Sequence, residues 1–239
     1  MGQGGVERTL IEWTWRAAQA VREAGHVVVA TDDRRIADEV ERFGGVAVMT
    51  PEHCANGTER CAAAIADMPP GDGLVINFQG DAPLTPPAMV EALIERMRAE
   101  PDLPMATPAI PCRGETYAHL AGDRAAGRVG GTTVVFNCRR HALYFSKNII
   151  PFVPADGPRD DVVHLHLGIY AYRREALAAY RAAPPSPLEE LEGLEQLRFL
   201  DMGSSIGIVV CEPPDGATIE LNNPSDVVLV EHELQRRGL

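Results

Sequence analysis

The stretch "LVINFQGDAPLTPP" (74–87) sets the apolar residues Leu74, Val75 and Ile76 just ahead of a carboxamide and a carboxylate, Gln79 and Asp81, on either side of Gly80. In an open α/β sheet, ligands bind beyond the carboxyl ends of the strands. A carboxylate there suits Mg²⁺, which takes one or two carboxylates and fills its other positions with water and substrate phosphates. Gly80 would let a ligand approach the backbone closely. A turn aspartate ahead of "APLTPP" accounts for the same residues, and taken alone it is the simpler reading.

Three more stretches carry residues of the right type. "NGTER" (56–60) puts Asn56 and Thr58 at a helix start, whose free N–H groups attract anions, with Arg60 one turn inside. A helix cap followed by a surface arginine is the plain alternative. "HLGIYAYR" (166–173) places His166 and Tyr170 on one strand face at period-two spacing, where a core histidine would be ordinary. "LEQLR" (194–198) sets Glu195 and Gln196 in an amphipathic helix, where a solvated face would be ordinary.

The elements that must position these residues alternate. Helical spacing with glycine or proline punctuation marks 9–25, 34–45, 57–68 and 86–100, and short apolar strands fill 26–32, 46–50, 73–81 and 105–111. This rhythm predicts a mostly parallel sheet covered on both faces, with Thr31, Asp32 and Thr50 sharing the rim of Gln79 and Asp81. Near residue 113 the rhythm changes. The runs 130–137 and 142–148 read as a hairpin and 164–173 as one strand. Residues 187–203 are helical, 205–213 form a last strand, and a final helix follows "NPSD". The Pro-rich stretch 151–161 reads as a mobile loop near a site.

Composition narrows the classes. The 239 residues suffice for a sizeable core, and 45% hydrophobic with 23% charged residues describes a folded chain. A net charge of −12 disfavours nucleic acid as a partner. No apolar run approaches the roughly 20 residues of a membrane span, and the N-terminus has no signal-peptide pattern. Five scattered cysteines without CxxC spacing suggest neither disulfides nor zinc, which points to a reducing cytoplasm.

In their order and spacing, "VVVATDD", "GGVAVMT", "NGTER", "NFQGDAPL", "ALYFSKNIIPF", "HLGIYAYR", "SPLEELEGLEQLR" and "NPSD" resemble the 3-deoxy-manno-octulosonate cytidylyltransferase (CMP-Kdo synthetase) family over residues 27–226. The resemblance implies a single domain over 1–239 with a three-layer, mostly parallel α/β fold of the nucleotide-diphospho-sugar transferase type. It also implies a homodimer joined through a β-hairpin subregion within about 113–165. The implied reaction joins CTP to a keto-sugar acid with Mg²⁺ as cofactor. Carried over by position, Asp81 and Gln79 form the catalytic pair, Asp81 as metal ligand and Gln79 toward the sugar acid. Asn56, Thr58 and Arg60 stand at the cytidine side. His166, Tyr170, Glu195 and Gln196 line the sugar pocket, and Lys147 is an anion partner.

Two departures bear on these expectations. The family opens with a strand and a basic loop of the form "PAR…S.R.PGKPL", whereas this chain opens "MGQGGVERTLIEW". That implies a fragment or a start codon placed too late, with Val27–Val29 at an unpaired sheet edge. The family's second metal-binding segment, "VDTPED", is replaced by "ELNNPSD" (220–226), so Asn222 stands where the second aspartate would be and offers a neutral amide oxygen to the metal. Asn223, Pro224 and Asp226 read more simply as a helix cap. A catalytically inactive sugar- or nucleotide-binding homologue is the alternative these departures favour. A glycosyltransferase of similar architecture would show Asp-x-Asp where this chain has Gln-Gly-Asp.

Overall fold

A computed structural model describes residues 2–3, 6–68, 71, 73–154, 162–213 and 226–236. Along the chain these form β1 (Gly2–Gln3), β2 (Val6–Glu7), α1 (Leu10–Gln19), β3 (Val28–Thr31), α2 (Arg34–Arg42), β4 (Val46–Met49), α3 (Gly57–Ala64), β5 (Val75–Asn77), α4 (Pro87–Ala99) and β6 (Met105–Pro111). There follow α5 (Gly114–Ala125), β7 (Thr133–Phe136), β8 (Ala142–Ser146), β9 (His164–His166), β10 (Tyr170–Tyr172), α6 (Arg174–Ala182), α7 (Pro187–Glu192), α8 (Gln196–Asp201), β11 (Ile206–Val210) and α9 (Asp226–Arg236). The chain divides into two compact units, one of Met1–Gly71, Ile76–Glu91 and Pro213–Leu239, the other of Asp72–Val75 and Ala92–Glu212.

In the first unit, β3 and β4 pair in parallel from Val28↔Val46 to Thr31↔Met49. Such a pair needs a crossover, which α2 supplies. Asp33 starts that helix by accepting from the Arg35 N–H at 2.8 Å. Ala37 and Val40 are its buried positions, one helical turn apart. It ends at Gly44, whose φ of +85° suits a residue without Cβ. Trp13 of α1, Leu84, and Val230 and Leu234 of α9 form an apolar cluster, each worth about 1.5–3 kcal/mol on full burial.

The second unit is built on β6, all of whose residues are buried. β11 runs parallel along one side of it, from Ile206↔Met105 to Val210↔Ala109. β10 and β9 run antiparallel to it, with Ala171↔Ala106 and His166↔Ala109. β7 continues the sheet from β9, and β8 from β7. Stacked rings of Tyr170, Tyr172, Phe199 and Tyr180, with successive centroids 4.8–5.8 Å apart, pack beneath.

The α/β class is as expected, but alongside the parallel pairs β3–β4 and β6–β11 the second unit has antiparallel pairs: β6 with β9 and with β10, and β7 with β8 and with β9. The reason lies in the connections. Consecutive strands joined by a few residues can only pair antiparallel, and β7 reaches β8 through the tight turn Asn137–His141. Asn137 closes that turn by accepting from the Arg139 and His141 N–H groups. Two further expectations change. The strand 164–173 is broken at 167–169 into β9 and β10, and the helix 187–203 is split at Gly193, whose φ of +61° ends α7. Helix α5 was not foreseen, because "GETYAHLAGDRA" carries two glycines and little apolar periodicity.

Candidate active site

In the first unit the rim of β3 and β4 forms as the strand pattern predicted. Asp32 follows β3 and Thr50 follows β4, and the Thr50 N–H donates to the Thr31 carbonyl at 2.9 Å. Arg60, inside α3, donates to Asp32 Oδ2 at 2.8 Å and to Thr50 Oγ1 at 2.7 Å. It is therefore anchored at the strand ends, not a free surface arginine. Asn56 is the N-cap of α3 and accepts from the Glu59 N–H at 2.9 Å. Thr58 is fully buried.

Gln79 and Asp81 lie in the same unit, in a turn closed by the Ala82 N–H donating to the Gln79 carbonyl at 3.2 Å. Thr14 of α1 fixes that turn by donating to the Gly80 carbonyl at 2.8 Å. A Cβ at position 80 would meet only Ile11 Cδ1, at 3.5 Å, an ordinary contact. The aspartate is a turn residue, as the simpler reading had it, yet its Oδ1 is buried without a hydrogen-bond partner. Burial pushes this carboxyl above the usual carboxylate range. A buried carboxylate oxygen lacking a donor is costly unless something positive meets it, so the residue suits a hard cation. Asn222 lies outside the described residues, as do 155–161 and Asn223–Ser225.

His166, Tyr170, Glu195 and Gln196 belong to the second unit. A continuous strand would hold residues four apart about 13 Å from each other. The break at 167–169 instead brings the rings of His166 and Tyr170 to 5.5 Å. Tyr170 donates its hydroxyl to Gln196 Oε1 at 3.3 Å, which leaves Gln196 Nε2 buried with no partner. Because Gly193 ends α7, Glu195 is not mid-helix but the N-cap of α8, half-buried, with Gln196 first in the helix. Lys147 is exposed, its N–H donating to Glu192 Oε2 at 3.0 Å.

Two residues of this cluster escaped the sequence reading. Thr107 is completely buried and bonds to His166; its signal was a lone hydroxyl in the apolar run "MATPAIP". Arg198 is buried against Glu189 just beyond Gln196, and its signal was a pair of charges at positions that helical periodicity assigns to the core.

Burial pushes the His166 imidazole down to about 3, against about 6.5 for a free histidine. Below pH 6.5 the unfolded chain therefore binds a proton that the folded ring refuses, so stability present above that pH is lost progressively toward pH 3. The slope from this residue is about 1.4 kcal/mol per pH unit, or about 2 kcal/mol by pH 5. Urea unfolding of the wild type and of His166→Phe at pH 7.5 and pH 5 should show the wild type losing that much more than the variant. Equal losses would place the folded pKa near the unfolded one.

Residues 6–206 match the family described as cytidylyltransferase. The 3-deoxy-manno-octulosonate cytidylyltransferase of Maricaulis maris (strain MCS10) is 45% identical over 231 residues, covering 96% of this chain and 88% of that protein. The protein of the same name from Chlamydia abortus (strain DSM 27085 / S26/3) is 36% identical, covering 95% and 84%. The solved structure of CMP:2-keto-3-deoxy-manno-octonic acid synthetase complexed with CTP superposes with a TM-score of 0.82 at 32% identity, covering 97% of this chain and 90% of that one. A 4-diphosphocytidyl-2C-methyl-D-erythritol synthase from Anaerococcus prevotii, at 14% identity and a TM-score of 0.60 over 98% and 88% of the chains, shares the fold. The chain belongs to the cytidylyltransferase family, among the 3-deoxy-manno-octulosonate cytidylyltransferases.

Proposed function

We propose that this chain activates 3-deoxy-D-manno-octulosonate with CTP, giving CMP-Kdo and pyrophosphate for lipopolysaccharide or a related envelope polysaccharide. The observation that carries the reading is the 45% identity to a named 3-deoxy-manno-octulosonate cytidylyltransferase across 96% of the chain. The anomeric hydroxyl of the sugar acid attacks the α-phosphorus of CTP and releases its proton to solvent, the bond from that phosphorus to the oxygen bridging to the β-phosphate breaks, and pyrophosphate leaves with that oxygen. Such a displacement depends on positioning and on neutralising phosphate charge more than on covalent help from the protein.

Asn56, Thr58 and Arg60 serve the cytidine side and Asp81 the metal, with Gln79 turned to the sugar acid. His166, Tyr170, Glu195 and Gln196 bind the sugar, and the buried, unpartnered Gln196 Nε2 supports this, being a donor with nothing yet to donate to. Mg²⁺ would be held by Asp81, assisted by the amide oxygen of Asn222, and would neutralise phosphate oxygens. Among the described residues no three His, Cys, Asp or Glu side chains form a metal cage, which suits an ion that takes most of its ligands from phosphate and water.

The enzyme acts as a homodimer through the β7–β8 hairpin, a role supported by the exposed Leu143 on β8. It works in the cytoplasm, in keeping with five free thiols and no helix among the described residues long and apolar enough to cross a membrane.

Pyrophosphate release from CTP, Kdo and Mg²⁺ tests the reaction. Release matched one-to-one by CMP-Kdo is expected. Sugar binding without pyrophosphate would instead establish the inactive binding homologue.

A further inference from the structure

The bonds around Thr107 settle the state of a histidine. Its hydroxyl oxygen lies 2.7 Å from the Ile169 carbonyl, 3.2 Å from the Leu167 carbonyl and 2.9 Å from His166 Nε2. A hydroxyl carries one hydrogen, and a carbonyl can only accept. The hydrogen therefore goes to the carbonyls, chiefly to Ile169, and the contact with His166 is a bond only if Nε2 carries a hydrogen and donates it. The ring is enclosed by Phe145, at 5.0 Å between centroids, and by Tyr170 at 5.5 Å. Burial keeps it neutral, so Nδ1 holds a bare lone pair. Among the described residues Nδ1 meets no hydrogen-bond partner.

We propose that Thr107 is a positioning residue which holds His166 as the neutral Nε2–H form, leaving Nδ1 as an acceptor that reads a hydroxyl of the sugar. The substrate contact rests on the sugar-pocket reading above; the state of the ring does not. The chemistry is selective. An imidazole fixed this way accepts from an alcohol but offers nothing to a carboxylate or a carbonyl oxygen, so His166 faces the polyol part of the keto-sugar acid and not its acid group. Thr107 also holds the break between β9 and β10 by bonding both carbonyls across it. The same hydroxyl thus sets the ring's proton and brings Tyr170 beside the ring.

The test is a long-range ¹H–¹⁵N spectrum of the wild-type protein labelled at histidine, with the His166 signals identified by their loss in His166→Ala. The expected result at pH 7 is a single neutral form with the hydrogen on Nε2. A hydrogen on Nδ1, or a charged ring, overturns the inference. In Thr107→Val the ring-nitrogen shifts should move, and KM for Kdo should rise about tenfold, the worth of one hydrogen bond, with KM for CTP unchanged. Thr107→Ser, which keeps the hydroxyl, should restore both. Unmoved ring shifts in the valine variant overturn the role of Thr107, and the wild-type spectrum and the serine variant still decide should the valine variant not fold. An unchanged KM for Kdo in His166→Ala overturns the substrate contact and the sugar-pocket reading together, while the spectrum decides the ring state independently.

Discussion

Asp81→Asn is expected to lower kcat/KM for pyrophosphate release by about 10²–10³-fold, the usual effect of removing one charge-stabilising group from a site of this kind, while leaving the fold as stable as before or more so. The two halves of this expectation come from one atom. Asp81 Oδ1 is buried with no donor, and burial raises the carboxyl's pKa because the charged form lacks solvation. A protein gains no stability from a carboxylate in that condition. Asparagine keeps the shape, fits the same turn, and removes the charge. If Asp81 serves only the turn, neither activity nor its dependence on Mg²⁺ should move. If it anchors the metal–nucleotide complex, activity falls steeply and the Mg²⁺ concentration giving half-maximal rate rises. Unfolding in urea would then show the familiar exchange of stability against function at an active site. Unchanged kinetics with a lower unfolding midpoint would reduce Asp81 to a structural residue.

What could be read from the sequence, and what could not, follows from the range of the interactions involved. The bounds of β6 and the starts of α2, α3 and α4 were legible because they rest on local signals: an apolar run, an N-cap Asp33 or Asn56, prolines at 86 and 87. The anchoring of Arg60 was half-visible. Strand ends in a parallel pair must lie together, so Asp32 and Thr50 could be placed on one rim, but that Arg60 spans both of them depends on how α3 packs. The break between β9 and β10 was out of reach, since the residue that stabilises it, Thr107, is about 60 positions earlier in the chain. Glu195 and Gln196 both read as positions inside one helix; Gln196 does lie in a helix, α8, but Glu195 stands just before it. Gly193 was visible, but only the αL conformation it takes turns one helix into two and moves Glu195 to an N-cap. The antiparallel character of the second unit was hidden because β9 and β10 read as one strand, with their partner on the far side of a helix and a hairpin in sequence.

The second large effect is on stability. Arg198→Ala should cost about 3–5 kcal/mol, the range for removing one partner of a buried ion pair. Arg198 donates through Nε and Nη2 to the two oxygens of Glu189, each at 2.6 Å, and both residues are buried. Its guanidinium carbon lies 4.0 Å from the centre of the Tyr180 ring. Glu189 in turn accepts from the Tyr180 hydroxyl at 3.1 Å and from the Ser186 N–H at 3.2 Å, completing the capping box of α7. Alanine would leave that buried carboxylate without its two-pronged guanidinium partner. Lysine should rescue little, because a single ammonium cannot reproduce the two-pronged contact or stack on the ring. Pairing Arg198→Met with Glu189→Gln should recover more than Arg198→Ala retains, since the amide oxygen still accepts from Tyr180 or Ser186 and no charge remains. The functional consequence follows from position. Gln196 opens α8 two residues before Arg198, so a variant that loosens this clamp yet still folds should raise KM for Kdo while KM for CTP stays put. A loss below 1 kcal/mol in urea unfolding would mean that water reaches Glu189 once Arg198 is gone, and that α8 is held by Leu197 and Phe199 instead.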